Sequence, residues 1–138
     1  MKKTVSFLAL VLLLTACGSK VDEGKAKDNY ESGKMAVAGI EEKNPQKFLA
    51  VSGSDKKNIL GQTVIKGHII NNAKMVSFKD VDIKLSFYSK TGALLEEDRE
   101  VVYETLSPGE GKSFKTKYFA PKGTDSVALK VITAKVVK

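Results

Sequence analysis

Residues 81–88 read VDIKLSFY, and this octapeptide constrains the fold more than any other stretch of the chain. Val81, Ile83, Leu85 and Phe87 alternate with Asp82, Lys84, Ser86 and Tyr88. A helix would scatter the apolar four around its circumference, whereas a strand sorts them onto one side. One face of this strand is therefore dry and the other wet, as in a sheet packed on a single side.

The same period of two recurs along much of the chain. Lys47–Ser54 is expected to form a first strand with Phe48, and either Ala50 or Val51, facing inward, broken at Asp55-Lys56-Lys57-Asn58. In Gly61–Asn71, Thr63, Ile65, Gly67 and Ile69 share one face, and Asn71-Asn72 marks a turn. After Lys90-Thr91-Gly92, Leu94–Thr105 resumes extended structure with Val101 and Tyr103 alternating, and Leu106 opens a turn through Ser107-Pro108-Gly109-Glu110-Gly111. Lys112–Phe119 places Phe114, Thr116 and Tyr118 on one side. In the last strand the apolar set runs Val127, Leu129, Val131 and then shifts to Ile132, Ala134, Val136, which predicts a bulge, because simple slippage would turn that set outward.

Six or seven short strands separated by turn residues, without long helical segments between them, predict an all-β fold: an antiparallel immunoglobulin-like or fibronectin-like β-sandwich over residues 47–138. With 138 residues there is room for one domain and short appendages. A core of about 90 residues buries only about 60–65% of its extended-chain surface. Without disulfides it must rely on Val, Ile, Leu and Phe shared between two sheets.

The first residues have a different character. Lys2 and Lys3 precede an apolar run from Val5 to Leu14, too short for a bilayer-spanning helix of roughly 20 residues and suited to a secretory signal. Leu14-Thr15-Ala16 followed by Cys17, the one cysteine of the sequence, resembles the lipobox of bacterial lipoproteins. That resemblance implies a signal peptide over 1–16, with Leu14, Thr15 and Ala16 as its recognition positions and Cys17 as the lipid-attachment residue carrying palmitate-like chains. It also implies a place in the bacterial cell envelope, lipid-anchored to the membrane. The absence of aspartate after Cys17 favours the outer membrane in a Gram-negative organism. Two or three acyl chains make a durable anchor where one gives marginal binding. Residues 17–46 then read as a polar tether, with Tyr30, Met35, Val37 and Ile40 at the spacing of a short helix that is either transient or docked on the domain.

INN at 70–72, the stretch FKDVDIKLSFYSKTG at 78–92 and LSPGEGKSFK at 106–115 together resemble the FxLYD-type family of small extracytoplasmic bacterial domains. The family's naming motif falls on Leu85-Ser86-Phe87-Tyr88-Ser89. Leu85 and Phe87 take its two large apolar positions in exchanged order, Tyr88 matches its tyrosine, and Ser89 stands where it has aspartate. The resemblance implies an immunoglobulin-like or fibronectin-like domain.

Catalytic chemistry finds little support. His68 is the sole histidine and sits within a strand, and no motif prepares a serine and a carboxylate to converge on it. With Cys17 lipidated, no His/Cys set remains for zinc, and no metal or other cofactor is expected. Glu96, Asp98 and Glu100 fall on one side of a strand, without the loop spacing of a calcium site, and read as a solvated face or a protective edge.

The formal charge of +7 is unevenly distributed. From Cys17 to Pro108 there are 14 basic and 14 acidic residues, so the excess of the mature chain lies beyond Pro108. There Lys112, Lys115, Lys117, Lys122, Lys130 and Lys135 form a candidate anion-binding surface. No arginine accompanies them, and an exported protein is remote from the genome, so nucleic acid is not an expected partner. The expectation is a membrane-anchored envelope lipoprotein whose non-catalytic sandwich binds a protein or plays an accessory structural role. The alternative is binding or sensing of a small ligand, an anionic lipid or a polysaccharide, with an envelope hydrolase a more distant third.

Overall fold

A computed structural model describes residues 23–138 of the chain. Helix α1 (Glu23–Lys43) leads through a single helical turn, α2 (Pro45–Phe48), into six strands. These are β1 (Leu49–Lys57), β2 (Thr63–Asn71), β3 (Phe78–Ser89), β4 (Leu94–Val102), β5 (Gly111–Tyr118) and β6 (Thr124–Val136). They form two three-stranded sheets, ordered β1-β2-β5 and β4-β3-β6, and every strand pair is antiparallel. The fold is an all-β sandwich with a helix at its entrance.

The core follows from the alternation. Val81, Ile83, Leu85 and Phe87 of the central strand β3 are at most 2% exposed. They meet Ile65 and Ile69 of β2 from the opposite sheet, and Phe78, Leu106, Val102 and Val131 close the cluster. Each such side chain contributes about 1.5–3 kcal/mol when fully buried.

One row of the core has an unusual composition. Gly53, Gly67 and Phe114 face one another across β1, β2 and β5. A Cβ on Gly67 would lie 2.1 Å from Phe114 Cζ, and one on Gly53 would lie 2.6 Å from Leu129 Cδ1. The tip of the Phe114 ring therefore lies over Gly67 while Leu129 reaches across from β6 to Gly53, so the two glycines supply the space their neighbours occupy.

The predicted bulge is present. Ile83 pairs with Val131 but Asp82 pairs with Thr133, so Ile132 is the extra residue that moves the inward set of β6 from odd to even positions. A second irregularity, between Lys79 and Asp82, brings β3 back into step. It passes through Asp80, which adopts a φ of 49° and carries an ion pair to Lys135 at 3.0 Å. Aspartate is among the few residues that visit this conformation readily.

Three local expectations are corrected. The first strand begins at Leu49, because Pro45 opens a helical turn that takes in Lys47 and Phe48. It continues through Asp55, Lys56 and Lys57, held in register by β2. The break falls at Asn58, whose side-chain oxygen accepts from the N–H groups of Leu60 and Gln62. In β4, pairing with Val81 turns Val102 inward, and Tyr103, beyond the strand, is 78% exposed.

Candidate functional site

The N-terminal residues that the sequence singles out, Leu14, Thr15, Ala16 and Cys17, lie outside the described residues. The first described element, α1, runs for 21 residues and meets the sandwich at its last turn through Glu41, which is 2% exposed. The Glu41 carboxylate accepts three backbone N–H groups of the β2–β3 connection: Lys74 at 2.7 Å, Met75 at 2.9 Å and Val76 at 3.0 Å. Consecutive amides converging on one carboxylate make a peptide nest, which offsets the cost of burying the charge.

Asn71 completes this junction from the other side. Fully buried at the end of β2, it accepts the Ala73 N–H and donates to the carbonyls of Val76 and Leu106. Its backbone exchanges hydrogen bonds with Gly109 and Glu110 of the β4–β5 turn. Two side chains thus satisfy the amides of residues 73–76. Upstream of the junction one side of the helix is exposed, with Tyr30 at 64%, Met35 at 69% and Ile40 at 58%, while Ala38 packs against the core. Among the described residues, no helix is long and apolar enough to cross a membrane.

The six C-terminal lysines do not share one surface. Lys112 pairs with Glu110 at 3.0 Å and Lys135 with Asp80, while Lys122 lies in the β5–β6 connection. The Lys112 ammonium is pushed up by its hydrogen bond to Glu110, whose carboxyl is held down first by the Ser107 N–H and then by Lys112. Lys130 stands across from Lys84 on the outer face of β4-β3-β6. Lys84 in turn bonds Glu97 at 2.8 Å and holds that carboxyl below its ordinary range.

Lys115 and Lys117 belong elsewhere, on the outer face of β1-β2-β5. Register places Lys66 of β2 directly opposite Lys115, with Ser54 on its other side. The next row is Lys56, Val64 and Lys117. Four lysines drawn from three strands thus occupy two adjacent rows. Sequence reading missed Lys56 and Lys66 because the grouping depends on register between strands about 50–60 residues apart, although the outward parity of Lys66 is visible in the alternation of β2.

His68 occupies the row on the other side of the Lys66–Lys115 pair, flanked by Ser52 and Ser113. Its Nδ1 is 3.1 Å from Ser113 Oγ. On its other side, Nε2 would be 2.6 Å from a Cβ at Gly111, so backbone lies where a triad would place a carboxylate.

Glu96, Asp98 and Glu100 do share one side of β4, the side parallel to the core, at the sheet's edge. Glu100 accepts from Tyr118 Oη at 2.6 Å and from Thr116 Oγ1 at 3.2 Å, joining the two sheets. Among the described residues, no group of three or more His, Cys, Asp or Glu side chains is arranged to hold a metal ion. Comparison with protein-family models, with curated proteins and with solved structures gives no match.

Proposed function

We propose that the chain is a lipid-anchored envelope protein in which α1 is a stalk and the sandwich a non-catalytic binding module for another envelope protein. The observation that carries this reading is the way α1 is attached. It is stapled at one end by Glu41 and exposed at Tyr30, Met35 and Val37, an arrangement suited to displaying a domain away from the residue that would bear the lipid. At 1.5 Å per residue, such a helix spans about 30 Å.

The sheet order supports a mode of binding. Read as an immunoglobulin-like or fibronectin-like sandwich, β1-β2-β5 corresponds to strands A, B and E, and β4-β3-β6 to C′, C and F. In that reading the last strand of the fold would lie beside β6, which is an edge strand of 13 residues. A partner's extended segment can add there by β-augmentation. The FxLYD-type resemblance agrees with a small extracytoplasmic module of this class. A hydrolytic role lacks comparable support, since His68 has a serine on one nitrogen and no carboxylate on the other.

Metabolic labelling with a fatty acid, followed by membrane fractionation, tests the anchor. The parent chain should carry label and sediment with membranes, and Cys17→Ala should do neither. Label retained on Cys17→Ala would reject the assignment. Photocrosslinkers placed on the free edge of β6 in intact cells should capture a discrete envelope protein, and crosslinking indistinguishable from that of positions on the outer β3 face would remove the proposed mode.

A further inference from the structure

We infer that the outer face of β1-β2-β5 is a docking platform for an acidic polysaccharide, with Lys56, Lys66, Lys115 and Lys117 taking its carboxylates. Like charges directly opposite on antiparallel strands oppose sheet formation, yet Lys66 and Lys115 are placed so. They are about 5 Å apart at the backbone, and Lys56 and Lys117 are roughly 10 Å apart in the next row.

Elsewhere in the sandwich, Lys84, Lys112 and Lys135 each have a carboxylate at 2.8–3.0 Å, whereas Lys130, which stands opposite the paired Lys84, has none within 4.0 Å among the described residues; what sets the platform apart is four such lysines in two adjacent rows. Among the described residues, none of the four platform lysines has one within 4.0 Å. Their charge is not neutralised within the domain, which leaves it for an anion from outside.

Shape and position narrow the ligand. The face carries a shallow, open trough of about 610 Å³ lined by Ser52, Ser54, Lys66, His68, Ser113 and Lys115 together with Gly53, Gly67 and Phe114, with Lys56 and Lys117 in the row beside it, a shape suited to an extended chain. Serine hydroxyls and an imidazole beside the lysines match a polymer bearing both hydroxyls and carboxylates. Lys66 is also five residues along β2 from Asn71, so the platform is roughly 17 Å from the junction that holds the stalk. A stalk leaving from that junction holds the lysines off the bilayer, which argues for a polymer over the membrane surface.

The inference rests on the envelope reading for its ligand, whereas the binding itself needs no anchor. The full chain in neutral detergent micelles, titrated with polygalacturonate, should bind saturably and weaken about tenfold or more between about 50 and 500 mM NaCl. Lys66→Glu and Lys115→Glu should each lower affinity about tenfold or more, with melting temperatures at or above the parent's because an opposed ion pair replaces a repulsive one. Lys130→Glu, on the other sheet, should change affinity by less than about twofold. Should a glutamate variant fail to fold, Lys66→Gln and Lys115→Gln are read in its place.

Absence of polygalacturonate binding, unchanged affinity in the platform variants or an equal loss in Lys130→Glu would overturn the inference. So would tighter binding to phosphatidylglycerol vesicles or to polyphosphate than to the polysaccharide. Cys17→Ala should bind as the parent does, so failure of the lipid anchor and failure of the platform are distinguishable.

Discussion

Glu41 controls more of the structure than any other charged residue of the helix. Its two oxygens serve three amides in a connection that has no strand partner of its own, so the loop's shape depends on a side chain more than 30 residues away. Hydrogen bonds to an ionised acceptor contribute about 1.5–3 kcal/mol each, less where water can replace them, and the Lys74 and Met75 positions are solvent-accessible. Glu41→Ala should therefore cost about 2–3 kcal/mol in urea unfolding, and Glu41→Gln, which keeps one acceptor oxygen, about half as much. Hydrogen exchange should localise the loss to the amides of residues 74–76. An unchanged urea midpoint in Glu41→Ala would show that the loop holds itself. The role was not legible in the sequence, where Glu41 is one acid among several in a charged segment. A side chain in a helix gives no local sign that it will meet a nest made by distant backbone. Asn71 was half legible: its turn chemistry is visible beside Asn72, but its burial and its bonds to Val76 and Leu106 arise only after β2, β3 and the β4–β5 turn have met.

At the scale of elements, β3 and β2 were legible because each is a central strand, covered on one face by the other sheet, so burial and sequence alternate together. The bulge in β6 was legible although β6 lies at an edge, since Val131 and Ile132 are adjacent apolar residues that cannot both face inward in a regular strand. β4 was not, because Val101, Val102 and Tyr103 are three consecutive apolar residues and only pairing with Val81 selects Val102. The acids of β4 are explained by its place at an edge, where charges directed toward the core side deter further strand pairing. One of them has been drawn into the structure: the Tyr118–Glu100 bond bridges the sheets where Tyr118 also packs edge-on against Phe87 at 6.1 Å. Burial first, and then the hydrogen bond to Glu100, raise the pKa of the Tyr118 phenol. The folded protein thus holds this proton more tightly than the unfolded chain does. The associated stability is complete below the unfolded value near pH 10 and is lost as pH rises from there toward the folded value. Tyr118→Phe should cost about 1 kcal/mol at neutral pH. From about pH 8 to about pH 11 its urea midpoint should fall less steeply than the parent's. Parallel curves would mean that Tyr118 does not contribute to the alkaline loss.

For the molecule as a whole, the question is whether stalk and sandwich fold as one unit. The core of the sandwich draws on both sheets and both connections near Asn71, while α1 meets it mainly through its C-terminal turns, where Ala38 packs against the core and Glu41 binds the β2–β3 connection. An isolated helix of this length is marginal in water, and Gly33 and Gly39 weaken it further, with open space where a Cβ would stand. The stalk should therefore fray from its free end without disturbing the domain, because the contacts that couple them, Ala38 and Glu41, lie in its last two turns. Met35→Pro, at a position 69% exposed, should lower the helical circular-dichroism signal sharply, and Gly33→Ala should raise it. Neither should move the urea midpoint of the sandwich by more than about 0.5 kcal/mol in equivalent free energy, in contrast to Glu41→Ala. If Met35→Pro destabilised the sandwich as much as Glu41→Ala does, the helix would have to be counted as part of the domain. A stalk that melts and re-forms independently lets the domain reorient about a tether without losing its own structure, so the lysine face and the edge of β6 would remain intact whichever way the domain turns.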